Sequence, residues 1–319
     1  MSLEEGLVIK STGSRYTVRS GTTIYECRIK GKLRIKGIRT TNPLTVGDIV
    51  DFEVQDENSE SGLPMGVITN LQQRKNYIIR KSVNLSKESH IIASNIDLAF
   101  ILATINYPVT SPTFIDRFLV TAEAYSIPSV VVFNKVDLYN EQELEKMQQL
   151  AETYRRIGYG CLVTSTVTGR GVSEFKEMIR DKVSVITGVS GVGKSTLINS
   201  VDPKLHLRTE KISDYHKSGK HTTTFSEMFE LAFGGYIIDT PGIRSFGMID
   251  MKNDDVSHYF PEIFKVSDTC RFNNCTHTHE PGCAVRDAIN AGEISMSRYD
   301  SYLSILFEDE NEKFRPDFK

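Results

Sequence analysis

The octapeptide Gly188-Val189-Ser190-Gly191-Val192-Gly193-Lys194-Ser195 fits the pattern G-x-x-x-x-G-K-S/T at every fixed position. An apolar run at 183–187 precedes it, and Thr196-Leu197-Ile198-Asn199 reads as the start of a helix behind it. Strand, glycine-rich loop and helix in that order cradle phosphates: backbone N–H groups converge on the anion and the helix N-terminus adds its positive end. Lys194 is placed to reach the β- and γ-phosphates, and Ser195 to hold Mg²⁺. The bland alternative, a glycine-rich turn before a helix, explains neither the lysine nor the hydroxyl behind it. A loop of this kind demands a buried parallel strand beneath it, and so an α/β domain.

The surrounding pattern agrees. From about residue 91 apolar runs (97–102, 129–133, 161–163, 183–187, 225–233, 236–238) alternate with amphipathic helical stretches such as 114–125 and 141–154, the signature of a parallel sheet. Residues 1–75 differ, with short alternating runs at 6–10, 15–18, 22–36, 47–54 and 65–68 separated by turn residues. Five such strands predict a small all-β barrel of the OB type. Beyond about residue 247 the pattern is mainly helical, at 284–291 and 296–307. The expected division is therefore 1–75, 76–247 and 248–319.

Three further elements narrow the ligand. Asn134-Lys135-Val136-Asp137 follows the apolar run ending at Phe133 and has the form N-K-x-D. Asp137 can accept from the N1–H and exocyclic amine of guanine, whereas adenine would leave the carboxylate unpaired. Alone the tetrapeptide is a common polar turn, and an ATP-using site is the alternative if it is accidental. Asp239-Thr240-Pro241-Gly242 has the form D-x-x-G, with Asp239 supporting Mg²⁺ and the Gly242 N–H meeting the γ-phosphate. The polar stretch 208–224 between it and the phosphate loop contains Thr222 and Thr223, either of which can supply a Mg²⁺ ligand. Thr164-Ser165-Thr166 stands where a backbone N–H, assigned to Ser165, would meet the guanine O6.

The C-terminal region holds Cys270, Cys275, His277 and Cys283 at C-x4-C-x-H-x5-C spacing, three of the five cysteines. Three thiolates and an imidazole form a closed tetrahedral Zn²⁺ site. His279 rivals His277 on spacing alone. Cys27 and Cys161 read as small core residues.

In chain order the guanine elements precede the phosphate loop, the reverse of Ras-like GTPases, so the domain reads as circularly permuted. With its barrel, permuted domain and Cys/His cluster, the chain resembles the circularly permuted, small-subunit-dependent GTPases of the RsgA family over nearly its whole length. That resemblance implies GTP hydrolysis stimulated by the small ribosomal subunit, a role in the subunit's late maturation, bound GTP, Mg²⁺ and Zn²⁺, His277 as the fourth zinc ligand, and a monomer. Ras-like enzymes orient the attacking water with a Gln directly after D-x-x-G. Here that residue is Ile243, so slow intrinsic hydrolysis is expected, with the water oriented by His221 as the candidate or by a group completed on the ribosome. A GTP-gated rRNA-binding switch in which hydrolysis is incidental is the competing reading.

Composition decides where nucleic acid can bind. The formal charge is −3 and the pI near 6.2, which excludes a uniformly basic binder. Yet residues 1–80 carry 12 Lys+Arg against 9 Asp+Glu, and Arg28, Lys30, Lys32, Arg34 and Lys36 alternate with other residues. On a strand that sets five cations on one face, suited to the phosphate backbone of rRNA. The acidic start Met1-Ser2-Leu3-Glu4-Glu5 resembles no secretory leader. The most apolar run, 96–105, is about half of a membrane span and contains Asp97. A cytoplasmic protein without a membrane segment is expected.

Overall fold

A computed structural model describes residues 2–29, 43–81, 89–205, 227–239 and 253–308. Strands β1 (Leu3–Ser11), β2 (Tyr16–Ser20), β3 (Thr23–Ile29), β4 (Ile49–Asn58) and β5 (Pro64–Leu71) alternate inward apolar with outward polar side chains. Val8, Tyr16, Val18, Cys27, Val50, Phe52 and Ile68 fill the interior. The strand order is β1-β2-β3-β5-β4, and β4 pairs back onto β1. Pairing is antiparallel except for β3 with β5, which closes the five-stranded barrel anticipated from the alternation.

Past the barrel the chain forms a hairpin absent from the sequence expectation, β6 (Tyr77–Lys81) with β7 (Ser89–Ser94). A register shift between Ile78 and Ile79 interrupts its alternation, and with it the period-two signal. Ile78 and Ala93 pack into the core of the next domain. The joint with the barrel is polar and buried: both Arg74 donors reach the Asp48 carboxylate at 2.6 Å, and Ser94 Oγ donates to it at 2.6 Å.

The α/β domain comprises β8 (Leu98–Ala103), α1 (Pro112–Ala124), β9 (Ser129–Phe133), α2 (Glu141–Ile157), β10 (Gly160–Val163), α3 (Val172–Ile179), β11 (Val183–Gly188), α4 (Lys194–Val201), β12 (Glu227–Glu230) and β13 (Tyr236–Asp239). Sheet order is β10-β9-β8-β11-β13-β12. All neighbours are parallel except the β12–β13 hairpin. Every residue of β8 is buried. Ala99, Ile101 and Ala103 face the layer containing α1 and α2, while Leu98, Phe100 and Leu102 face that containing α3 and α4. This is a doubly wound sheet, and its connections reverse direction between β8 and β11, where such sheets open a ligand crevice at the strand C-termini. The apolar run at 225–233 is broken: β12 ends at Glu230, and Gly234 and Gly235, both at positive φ, turn the chain into β13.

Beyond its partner β13, β12 also pairs with β1 through Lys10 and Glu227, whose side chains bond at 2.9 Å, and Arg19 pairs with Glu230. Barrel and α/β sheet thereby form one continuous eleven-stranded sheet. At the C-terminus a 3-10 segment (Asn253–Tyr259) and helices α5 (Pro261–Ser267), α6 (Ala284–Asn290) and α7 (Met296–Leu306) enclose their own core, joined by Val120 of α1. Arg298 of α7 lies buried between Asp116 of α1 and Glu262 of α5 at 2.7 Å from each.

Candidate nucleotide site and metal centre

The C-terminal ends of β8, β9, β10 and β11 bring residues 103–111, 134–137, 164–170 and 188–195 to one edge of the sheet. In the phosphate loop Gly188, Gly191 and Gly193 have positive φ, open to glycine at little steric cost. At Gly193 a Cβ would lie 2.5 Å from Asn134 Nδ2, so only a glycine lets the loop approach the N-K-x-D turn so closely. Lys194 folds back over the loop, donating to the Gly188 and Val189 carbonyls at 2.7 and 2.9 Å. An incoming phosphate must draw it off those carbonyls. Ser195 follows at the first turn of α4 and is buried.

The Asn134 side chain is a strut between loops. Its Nδ2 donates to the Val192 carbonyl at 2.9 Å, and its Oδ1 accepts from Thr164 Oγ1 at 2.9 Å, joining three loops. Lys135 adopts a left-handed φ of 59° and donates from Nζ to the Gly191 carbonyl at 2.6 Å and the Tyr107 carbonyl at 2.9 Å. Asp137 is exposed on the 3-10 turn Val136–Leu138, its acceptor oxygens facing solvent. The structure thus joins the turn and the phosphate loop by direct bonds over 50 residues apart in sequence.

Ser165 is buried in the loop after β10. Its N–H donates to the Arg170 carbonyl at 3.0 Å, and its Oγ accepts from the Thr168 N–H, so it closes its own loop. The Asp239 backbone ends β13 beside β11. Gly242, His221, Thr222 and Thr223 lie outside the described residues, as do Lys30, Lys32, Arg34 and Lys36. Arg28, the first of that row, is exposed on β3, with Cys27 buried on the opposite face.

Local pattern gave no sign of Tyr139, Thr164 as a bonding partner, or Tyr107, because each acts through bonds to residues distant in sequence. Tyr139 is buried, and its hydroxyl donates to the Asn134 carbonyl and accepts from the Ile105 N–H, both at 2.9 Å. Burial pushes its phenol up to about 12, which keeps it a proton donor at neutral pH.

In the C-terminal unit the ligand atoms of Cys270, Cys275, His277 and Cys283 all lie within 4.8 Å of one another. His277 Nδ1 is 3.6 Å from the Cys270 sulfur and 3.5 Å from that of Cys283. Tetrahedral zinc, with Zn–S about 2.3 Å and Zn–N about 2.0–2.1 Å, requires S···N of about 3.6 Å, so the donor set fits. Burial holds His277 below its ordinary value, which favours the neutral imidazole that ligates metal, and pushes the Cys275 thiol up to about 12. A cation entering here therefore displaces thiol protons. Helix α7 fixes the loop: Tyr299 and Tyr302 donate to the His277 and Thr276 carbonyls at 2.7 Å. His279 stands apart, its Nδ1 against Thr278 Oγ1.

A model of the RsgA GTPase family matches residues 71–249, and one of the RsgA N-terminal domain matches residues 5–62. The chain belongs to the RsgA GTPase family. Membership makes it a GTP hydrolase. A Flavobacterium psychrophilum relative, named small ribosomal subunit biogenesis GTPase RsgA, is 55% identical over 98% of this chain and 95% of its own. A Bacteroides fragilis relative with that name is 52% identical over 98% and 99%. The crystal structure of YjeQ from Thermotoga maritima covers 96% of this chain and 98% of its own, at TM-score 0.76 and 34% identity. That of YloQ, described as a circularly permuted GTPase, covers 99% and 98% at TM-score 0.75 and 29% identity. The RsgA fold therefore runs through barrel, permuted GTPase domain and Cys/His unit together. No helix among the described residues is long and apolar enough to cross a membrane.

Proposed function

We propose that this RsgA-family chain hydrolyses GTP slowly alone and faster on the small ribosomal subunit, as a timed step in that subunit's late maturation. The observation that carries the reading is the direct bonding of Asn134 and Lys135 to the phosphate loop. It supports reading base recognition and phosphate binding as one site. The names of the curated relatives supply the subunit.

In this reading Asp137 accepts from the guanine while the amides of residues 188–193, with Val189, Ser190 and Val192 among them, enclose the phosphates. Lys194 moves from the Gly188 and Val189 carbonyls to the β- and γ-phosphates. Ser195, in the first turn of α4, together with Asp239 and Thr222 or Thr223 would hold Mg²⁺. That ion would neutralise charge on the phosphates. Thr196 continues the helix behind the loop, the Gly242 N–H meets the γ-phosphate, and His221 orients the water. The Arg28 to Lys36 row contacts rRNA, and the four-residue cluster binds structural zinc. The division 1–75, 76–247 and 248–319, a monomer and a cytoplasmic location complete the proposal.

Single-turnover GTP hydrolysis with purified small subunits, free large subunits and neither tests it. Strong stimulation by small subunits alone is expected, and His221→Ala should lose most of it. Equal rates in all three mixtures would favour a GTP-gated binding switch instead.

A further inference from the structure

Asp137 stands on a segment held at both ends. At one end is Lys135, whose left-handed backbone is costly for a non-glycine residue and persists only where its surroundings enforce it. At the other is the start of α2, where Asn140 accepts from the Glu143 N–H and Glu143 Oε2 from the Asn140 N–H, each at 2.9 Å. Both ends are tied to one loop that belongs to none of the nucleotide motifs, residues 104–111 between β8 and α1. Its Tyr107 carbonyl accepts from Lys135 Nζ, and its Asn106 Nδ2 donates to Glu143 Oε1 at 2.9 Å. The Tyr139 hydroxyl bridges its Ile105 N–H to the Asn134 carbonyl.

The loop is itself stiffened. Thr104 N–H donates to Thr110 Oγ1 at 3.1 Å, the Thr110 N–H donates to the Thr104 carbonyl at 2.9 Å, and Thr104 Oγ1 donates to the Pro108 carbonyl at 2.5 Å. It can therefore serve as a fixed reference for the turn above it. The Ile105 N–H and Asn134 carbonyl meet at a buried hydroxyl, and removing that hydroxyl leaves two polar groups without it in a site closed to water.

We propose that the 104–111 loop is a specificity brace for the guanine site, with Tyr139 as its positioning residue and Asn106 as its second tie. It sets the position of Asp137 against the N1–H and exocyclic amine of the base. The inference rests on the reading of Asp137 as the guanine-binding carboxylate.

Fluorescent GDP and IDP provide the test, since IDP keeps the phosphates and the N1–H but lacks the exocyclic amine. Affinities are measured for wild type, Tyr139→Phe, Asn106→Ala and Asp137→Asn, with a thermal melt of each. In Tyr139→Phe we expect GDP affinity to fall about fivefold and the GDP-over-IDP preference to shrink with it. A smaller change in the same direction is expected in Asn106→Ala, which alters a half-buried loop position and leaves the core packed. General destabilisation would lower both affinities together and leave their ratio unchanged. A ratio within about twofold of wild type in both variants overturns the brace. Asp137→Asn reports on the underlying reading: unchanged GDP affinity there means that Asp137 does not read the base, and the brace falls with it.

Discussion

Replacing Arg298 by methionine removes a buried cation that joins the C-terminal unit to the GTPase domain, beside the Arg117–Glu308 pair. The guanidinium donates from Nη1 to Asp116 Oδ1 at 2.7 Å and from Nε and Nη2 to the Glu262 carboxylate at 2.7 and 3.2 Å. Its side chain is 1% exposed and that of Asp116 is 0% exposed. The Phe260 ring lies 4.6 Å from its central carbon. Burial by itself works against the charged form, but Asp116 and then Glu262 outweigh it, so Arg298 is held above its ordinary range. At an effective dielectric of about 20 each 2.7 Å contact is worth about 6 kcal/mol of gross attraction, most of it offset by desolvation of the ions. The measurable quantity is the cost of breaking the set. Methionine fills much of the volume but leaves Asp116 in an apolar interior with only the neutral hydroxyls of Tyr154, at 2.9 Å, and Ser301 to donate to it, which should cost about 3–5 kcal/mol. Urea unfolding of the zinc-loaded protein reads this, with amide exchange locating the loss in α1, α5 and α7 and sparing the barrel. Arg298→Met combined with Asp116→Asn should recover part of it, because the stranded charge is gone. A cost below about 1 kcal/mol for the single variant would refute the reasoning and make the set no stronger than a surface ion pair.

Two further outcomes follow from the same geometry. The purified protein should carry about one equivalent of zinc, lost in Cys283→Ser, and that variant should show faster amide exchange in α6 and α7 with guanine-nucleotide affinity retained. Glu143 is held below its ordinary 4.5, first by the Asn140 N–H and then by Asn106. Because the folded value is the lower one, its contribution to α2 is complete above about 4.5 and is lost as pH falls through the folded value. NMR of the first turn of α2 should show fraying only in that acid range, and Glu143→Ala should remove the pH dependence.

Much of the molecule was legible in one dimension because its signals are local. Period-two alternation marked the barrel strands, since an inward Val18 or Phe52 must sit beside outward neighbours. The unbroken apolar run of β8 marked a strand covered on both sides. The phosphate loop announces itself because its glycines and lysine are contiguous, and the Cys/His cluster because a small metal site needs donors close in sequence. Other features were illegible for the converse reason. The β6–β7 hairpin is interrupted where the alternation would have shown it. The bond from the Ser165 N–H to the Arg170 carbonyl leaves no mark in the local pattern. His277 and His279 are equivalent in spacing, and packing against Tyr299 and Tyr302 brings the first to the sulfurs.

The sequence by itself determined the chemistry available to this protein: a phosphate loop, a guanine-type carboxylate, four soft and borderline metal donors, and the permuted order that sets the C-terminal unit after the D-x-x-G element. Tertiary structure decided how those parts are held. Asn134 became a strut and Lys135 a clamp, Tyr139 and the 104–111 loop came to bond the N-K-x-D turn, and Arg298 was buried between two carboxylates. The physical reason is that short motifs encode functional groups, whereas position is set by hydrogen bonds and burial between residues far apart in the chain. Such contacts leave no periodic trace in the sequence.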